Sequence, residues 1–182
     1  QEVVSAASRL RYRDFCLVEL LLNGDHLFPD NWIYVHSPEV QVGRIQNSKN
    51  WSAELVPDAA TTSLGMEYFC TAGDALWSLS DDELVRLATA ELATLGLAAP
   101  QQVYDGVVIR QRRAYPVYDD DYAQAVTIIR EYLGGLPQLQ TIGRNGMHRY
   151  NNLDHSMLTG LLAARNADGA HHDLWKVNAE RS

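Results

Sequence analysis

Residues 141–156, TIGRNGMHRYNNLDHS, concentrate more potential chemistry than any other stretch of the chain. Gly143 and Gly146 bracket a turn, Arg144 and Arg149 carry guanidinium groups, Tyr150 follows, and Asn151, Asn152 and Asp154 precede an apolar helical pattern. The first turn of such a helix has unsatisfied backbone N–H groups, and the helix dipole adds partial positive charge, so anionic or electron-rich ligand atoms are favoured there. An ordinary helix capped by Asn152 or Asp154 has the same pattern, and the motif is too short to decide between them. A second group is Arg110, Arg112 and Arg113 followed by Tyr115 and Tyr118. On a strand Arg110 and Arg112 share one face, where two planar guanidinium groups could meet a phosphate or carboxylate while Tyr115 packs on a flat ring. A solvated edge strand is the rival reading, and from spacing alone the stronger one.

Other chemistries find little support. Cys16 and Cys70 sit singly in apolar, strand-like runs, where a buried free thiol is the simplest role. His171-His172-Asp173 lacks further ligands nearby, so no metal site is expected. Trp32, Trp51, Trp77 and Trp175 are read as packing residues. No strand leads through G-x-G-x-x-G into a helix, and there is neither a G-x-S-x-G elbow nor a cysteine with a credible base. No side chain is an evident acid-base catalyst, so the catalytic residues stay unassigned.

The elements that must position these groups follow from periodicity. Residues 12–22 form a long apolar run closed by Asn23-Gly24-Asp25, a strong turn signal. Residues 31–36 and 40–45 alternate in the period of two across Ser37-Pro38-Glu39 and predict a hairpin, and residues 64–70 add a strand. The first 70 residues therefore predict four strands and no helix. Ser80-Asp81-Asp82-Glu83 has the capping-box pattern, and Leu84, Leu87, Ala88, Leu92 and Leu95 follow at helical spacing until Gly96. A strand over 103–113, a helix over 119–133, a short strand over 139–142 and a helix over 154–166 complete the order. The expected fold is α+β: a mixed, mostly antiparallel sheet of five to seven strands with helices on one face, plus a C-terminal strand-helix return.

With 182 residues, 46% hydrophobic and 21% charged, the chain can bury a real core. A net charge of −8, from 23 acidic against 15 basic residues, makes nucleic acid a poor partner. No apolar run approaches the roughly 20 residues that span a bilayer, and no signal-peptide layout opens the chain, so a cytoplasmic location is expected.

The string GRNGMHRYNNLDHSMLTGLLAARN, residues 143–166, resembles the final flavin-contacting strand, turn and helix of the FAD-dependent oxidoreductase superfamily of amine oxidases, protoporphyrinogen oxidases and UDP-galactopyranose mutases. The mutase likeness lies in the G-R-x-G-x-x-x-Y frame, filled by Gly143, Arg144, Gly146 and Tyr150; where mutases have Asp two residues after the Tyr, this chain has Asn152. FPDNWIYVHSPEVQVGRIQNSKNWS (28–52), LGMEYFC and AYPVYDDDY resemble a group of oxidoreductases described as protoporphyrinogen oxidase-like, and the likeness covers nearly the whole chain.

That resemblance implies FAD, with cofactor contacts at Gly143, Arg144, Asn151, Asn152, Leu153 and Ser156 and substrate contacts at Arg110, Tyr115, Arg144 and Tyr150. It implies a substrate-binding domain over 1–137, a flavin-contacting segment over 138–182, and a truncation: an N-terminal FAD-binding unit would be the missing partner. The other expected partners are a small-molecule substrate and, as an option, a second copy in a homodimer. The fragment alone is expected to be inactive and free of FAD, with exposed Trp and Tyr on one surface and the Arg144 side chain directed into an open cleft. The alternatives are a mutase-like sugar-nucleotide isomerase and a non-catalytic binding module.

Overall fold

The protein is seen in a computed structural model, in which residues 1–179 are described. In chain order the elements are α1 (Glu2–Arg9), β1 (Tyr12–Asn23), β2 (Trp32–Tyr34), β3 (Arg44–Asn47), the one-turn α2 (Ser48–Trp51), β4 (Thr61–Cys70), α3 (Asp81–Thr94), β5 (Val103–Pro116), α4 (Tyr122–Gly134), the one-turn α5 (Gly143–Gly146) and α6 (Leu153–Ala167). The fold is α+β, as the sequence predicts. By contacts the chain divides into two compact units: Asp14–Arg112, and Gln1–Arg13 with the chain from Arg113 onward.

The first unit is built on a five-stranded sheet of order β2-β3-β4-β1-β5, in which β1–β4, β3–β4 and β2–β3 are antiparallel. β1 alternates strictly, burying Cys16, Val18, Leu20 and Leu22. β4 lies in the middle of the sheet and is buried on both faces apart from Phe69, so both of its faces carry meaning. Leu64, Met66, Tyr68 and Cys70 join the β1 residues on the core face, and α3 covers that face with Leu84, Ala88 and Leu92, spaced i, i+4, i+8. α3 begins where its sequence says it should. Ser80 Oγ accepts from Glu83 N (3.3 Å), and Glu83 Oε2 accepts from Ser80 N (2.8 Å). Buried Glu91 on the same helix accepts from Gln41 N (2.6 Å), Val42 N (3.1 Å) and the Tyr68 hydroxyl (3.0 Å), tying helix, loop and sheet together. The β2–β3 hairpin is present, but its paired part is only three residues long.

In the second unit α1 packs along α4, with Ala6 and Ala125 fully buried; small residues let two helices approach. α1 corrects the expectation of an all-strand beginning. Its two valines lower helix propensity slightly, but Glu2 in the first turn and Arg9 in the last both suit the helix dipole. Residues 139–142 are also corrected: they form no strand. Their polar groups bond locally and to α6 instead, with Leu139 N donating to Leu136 O (3.0 Å) and Gln140 Nε2 to Ala163 O (3.0 Å). A short segment such as Leu-Gln-Thr-Ile becomes a strand only where another strand lies beside it, and among the described residues none does.

Candidate functional site

The turn that precedes α6 is assembled from inside. Gly143 has φ 74°, a left-handed conformation that costs glycine least. Its N–H donates to the fully buried Thr159 Oγ1 (3.0 Å), and its carbonyl accepts from Asn151 Nδ2 (3.3 Å). Asn151 Oδ1 in turn accepts from Asn178 Nδ2 (3.2 Å). Asn151 is therefore a buried brace for the turn rather than a group facing outward.

On this brace Arg144 is held by two carbonyls. Its Nε donates to Asn151 O (2.8 Å) and its Nη1 to Ala114 O (3.0 Å). Its guanidinium carbon lies 4.7 Å from the Tyr150 ring centre and 5.2 Å from that of Tyr115. The two tyrosine rings are stacked, with centroids 5.6 Å apart and planes 17° apart. Tyr150 is fixed by its own backbone N–H, which donates to the Tyr118 hydroxyl (2.6 Å). The fold thus gathers Tyr115, Arg144, Tyr150 and Asn151 from three stretches of sequence. Arg144 departs from the expected open-cleft pose: it is half-buried and bonded to carbonyls, because the curled turn brings those acceptors to it. Those carbonyls leave its full positive charge uncancelled.

Asn152 is the N-cap of α6, and its N–H donates to His155 Nδ1 (3.3 Å). The exposed helix start then presents Leu153 (78% exposed), with Ser156 packed inward beside Gly143. Met157, Leu158 and Leu161 continue an apolar exposed stripe along α6.

Arg110 has a different fate. In the Asp14–Arg112 unit its Nε donates to Trp77 O (3.2 Å) and Nη2 to Leu79 O (2.6 Å), while Nη1 pairs with Asp81 (2.5 Å). Nε and Nη2 strap β5 to the loop before α3, and Nη1 straps it to the first residue of that helix.

Two groups escaped the sequence reading. His148 is buried with φ 45°, its ring edge-on to Tyr12 (4.7 Å) and tilted against Tyr122 (5.6 Å). Burial pulls its pKa below the usual histidine value, against the smaller opposing pull of the Val117 carbonyl and Asp119. The second is a polar patch on the sheet face opposite the core. The register sets Tyr34, Arg44, Glu67 and Leu17 in one row and Trp32, Gln46, Gly65 and Glu19 in the next. Arg44 (8% exposed) pairs with Glu67 (2% exposed), Gln46 Nε2 donates to Glu67 Oε1, and the guanidinium lies 5.2 Å from the Trp32 ring and 4.9 Å from the Phe69 ring. Trp32, Tyr34 and Trp51 stand exposed beside it. Alternating polar residues in strands were the only signal available, since the partners come from strands about 20 residues apart.

No protein-family model and no curated protein matches the chain. Among solved structures it is similar to reduced UDP-galactopyranose mutase, with TM-score 0.82 and 20% identity over 95% of this chain and 37% of that one. It is also similar to a putative protoporphyrinogen oxidase from Exiguobacterium sp. 255-15, with TM-score 0.60 and 16% identity over 75% of this chain and 31% of that one. At these identities the likeness is one of fold, and the chain spans about a third of the length of each. Both are enzyme types to which the 143–166 string is similar. Among the described residues, no helix is long and apolar enough to cross a membrane.

Proposed function

We propose that this chain is the substrate-side and flavin-end part of an FAD-dependent oxidoreductase, with residues 1–137 shaping the substrate pocket and residues 138–182 contacting the flavin. The observation that carries this reading is the Arg144 guanidinium, held over the Tyr115 and Tyr150 rings by carbonyl acceptors that leave its charge available. The residues fit the group. The open start of α6 at Leu153 presents first-turn N–H groups and the positive end of the helix dipole, Gly143 lets the backbone take the left-handed turn that sets up this helix start, and Arg144 supplies positive charge. When bound, FAD supplies the two-electron acceptor that no side chain of this chain provides.

In this reading Arg144 and the helix start favour negative charge at the ligand, Tyr115 and Tyr150 offer flat faces to a planar or ring-shaped group, and Asn151 holds the turn in shape. The intact enzyme needs an N-terminal dinucleotide-binding unit, so the chain alone is expected to be inactive and to hold no FAD tightly. A second reading, a sugar-nucleotide isomerase, is favoured by the higher fold similarity to the mutase and by an arginine and two tyrosines suited to a diphosphate and a ring.

The deciding experiment is the visible absorption spectrum of the full-length protein. Flavin bands are expected, and a colourless protein overturns the cofactor assignment. Titration with UDP-galactopyranose then separates the readings, because tight binding points to isomerisation and no binding points to oxidation of another substrate.

A further inference from the structure

The chain holds two cysteines, and the fold sets them against each other. Cys16 on β1 and Cys70 on β4 have Sγ atoms 3.6 Å apart, with exposures of 0% and 2%. The register pairs Cys16 with Tyr68 and Asp14 with Cys70, so the thiols are diagonal neighbours on the core face of adjacent antiparallel strands. Both are free. Bond formation needs roughly 1.5 Å of further approach, to reach the ordinary sulfur–sulfur length of about 2.05 Å.

The surroundings show where that movement can come from. Cys16 is fixed in the middle of a long strand, but Cys70 is the last residue of β4. Beyond it the chain turns sharply at Gly73 (φ 92°), and the turn is pinned where Asp14 Oδ2 accepts from Ala72 N (2.6 Å). Movement of the strand end costs this hydrogen bond and the terminal pairing of Cys70 with Asp14, and leaves the central pairing of β1 with β4 intact.

We propose that Cys16 and Cys70 are a dithiol site that a peroxide oxidises to an intramolecular disulfide, stapling β1 to β4. In the first step the Cys70 sulfur, nearer the strand end, attacks one peroxide oxygen. The O–O bond breaks, water leaves with the thiol proton, and Cys70 becomes a sulfenic acid. In the second step the Cys16 sulfur attacks the Cys70 sulfur, the S–S bond forms as the S–O bond breaks, and a second water leaves. One peroxide is reduced to two waters and two thiols become one disulfide. The surroundings make this slow at neutral pH: burial first of all raises both thiols, Cys70 to about 12, and each thiol also influences the other. Asp74 and Asp14 raise them further, and Arg110 opposes this at Cys16.

The test uses native full-length protein treated with hydrogen peroxide, then denatured, alkylated with iodoacetamide and mapped by peptide mass spectrometry. A single Cys16–Cys70 cross-linked peptide is expected, with alkylation lost at both positions together and regained after dithiothreitol. Its rate should climb by up to about tenfold for each pH unit between about pH 7 and about pH 9, as the thiolate fraction grows. Both cysteines still fully alkylated, or each separately oxidised to sulfinic acid without a cross-link, overturns the proposal. In Cys16→Ala the same treatment should leave Cys70 as sulfenic or sulfinic acid. If that variant does not fold, the wild-type peptide map alone still decides.

Discussion

Arg44 and Arg144 are both flanked by two aromatic rings, yet their surroundings differ in kind. Arg44 meets the carboxylate of Glu67, so the pair is neutral as a whole and buried within the sheet face. Among the described residues the hydrogen bonds of Arg144 go to carbonyl oxygens, which do not cancel its charge, beside two tyrosine rings and the open start of α6. A buried ion pair is costly to break because the surviving partner is left charged and without water. An arginine on carbonyls is held in position while keeping the ability to attract an anion. The first arrangement shapes a surface, and the second is the one the proposed function assigns to a ligand.

The largest effect should come from breaking the pair. Glu67→Ala should lose about 3–5 kcal/mol of stability, read from the urea midpoint, because the buried Arg44 guanidinium loses the carboxylate that balances its charge. Arg144→Ala should lose only about 1–2 kcal/mol, the worth of its hydrogen bonds to carbonyls, while substrate binding or flavin reduction in the full-length protein falls far more. Equal stability losses in the two variants would break the contrast. Arg110→Ala sharpens it from the other side: thermal stability should fall with turnover retained, since all three nitrogens serve the fold. A smaller loss, about 2–4 °C in the thermal midpoint, is expected for Ser80→Ala, which opens the capping box of α3.

The smallest effect is one of pH. Burial holds the folded-state pKa of His148 below its unfolded value, so the unfolded chain binds the extra proton first. Stability then falls as pH drops below about 6.5 and continues to fall until the folded-state pKa is passed. His148→Phe should flatten that acid limb, and an unchanged pH profile would show that the ring titrates freely.

Much of the architecture was legible because it is local. The capping box at Ser80 and Glu83, the i, i+4, i+8 spacing of Leu84, Ala88 and Leu92, and the strict alternation of β1 are patterns within one element, and backbone geometry alone turns them into structure. α1 was missed because its valines mask a helix that packing against α4 supports, and 139–142 were misread because strand-forming residues need a neighbouring strand.

By itself the sequence determined the α+β class, the sheet-forming runs and the Gly143–Gly146 turn with Arg144 and Tyr150 beside it, since each depends on residues close in the chain. Only the tertiary structure decided who meets whom. It stacked Tyr115 on Tyr150, turned Asn151 inward as a brace, gave Arg110 to the loop before α3, and joined Arg44 to Glu67 and Cys16 to Cys70. Those pairings depend on strand register and turn closure, and a shift of one residue in register would send every side chain of a strand to the opposite face.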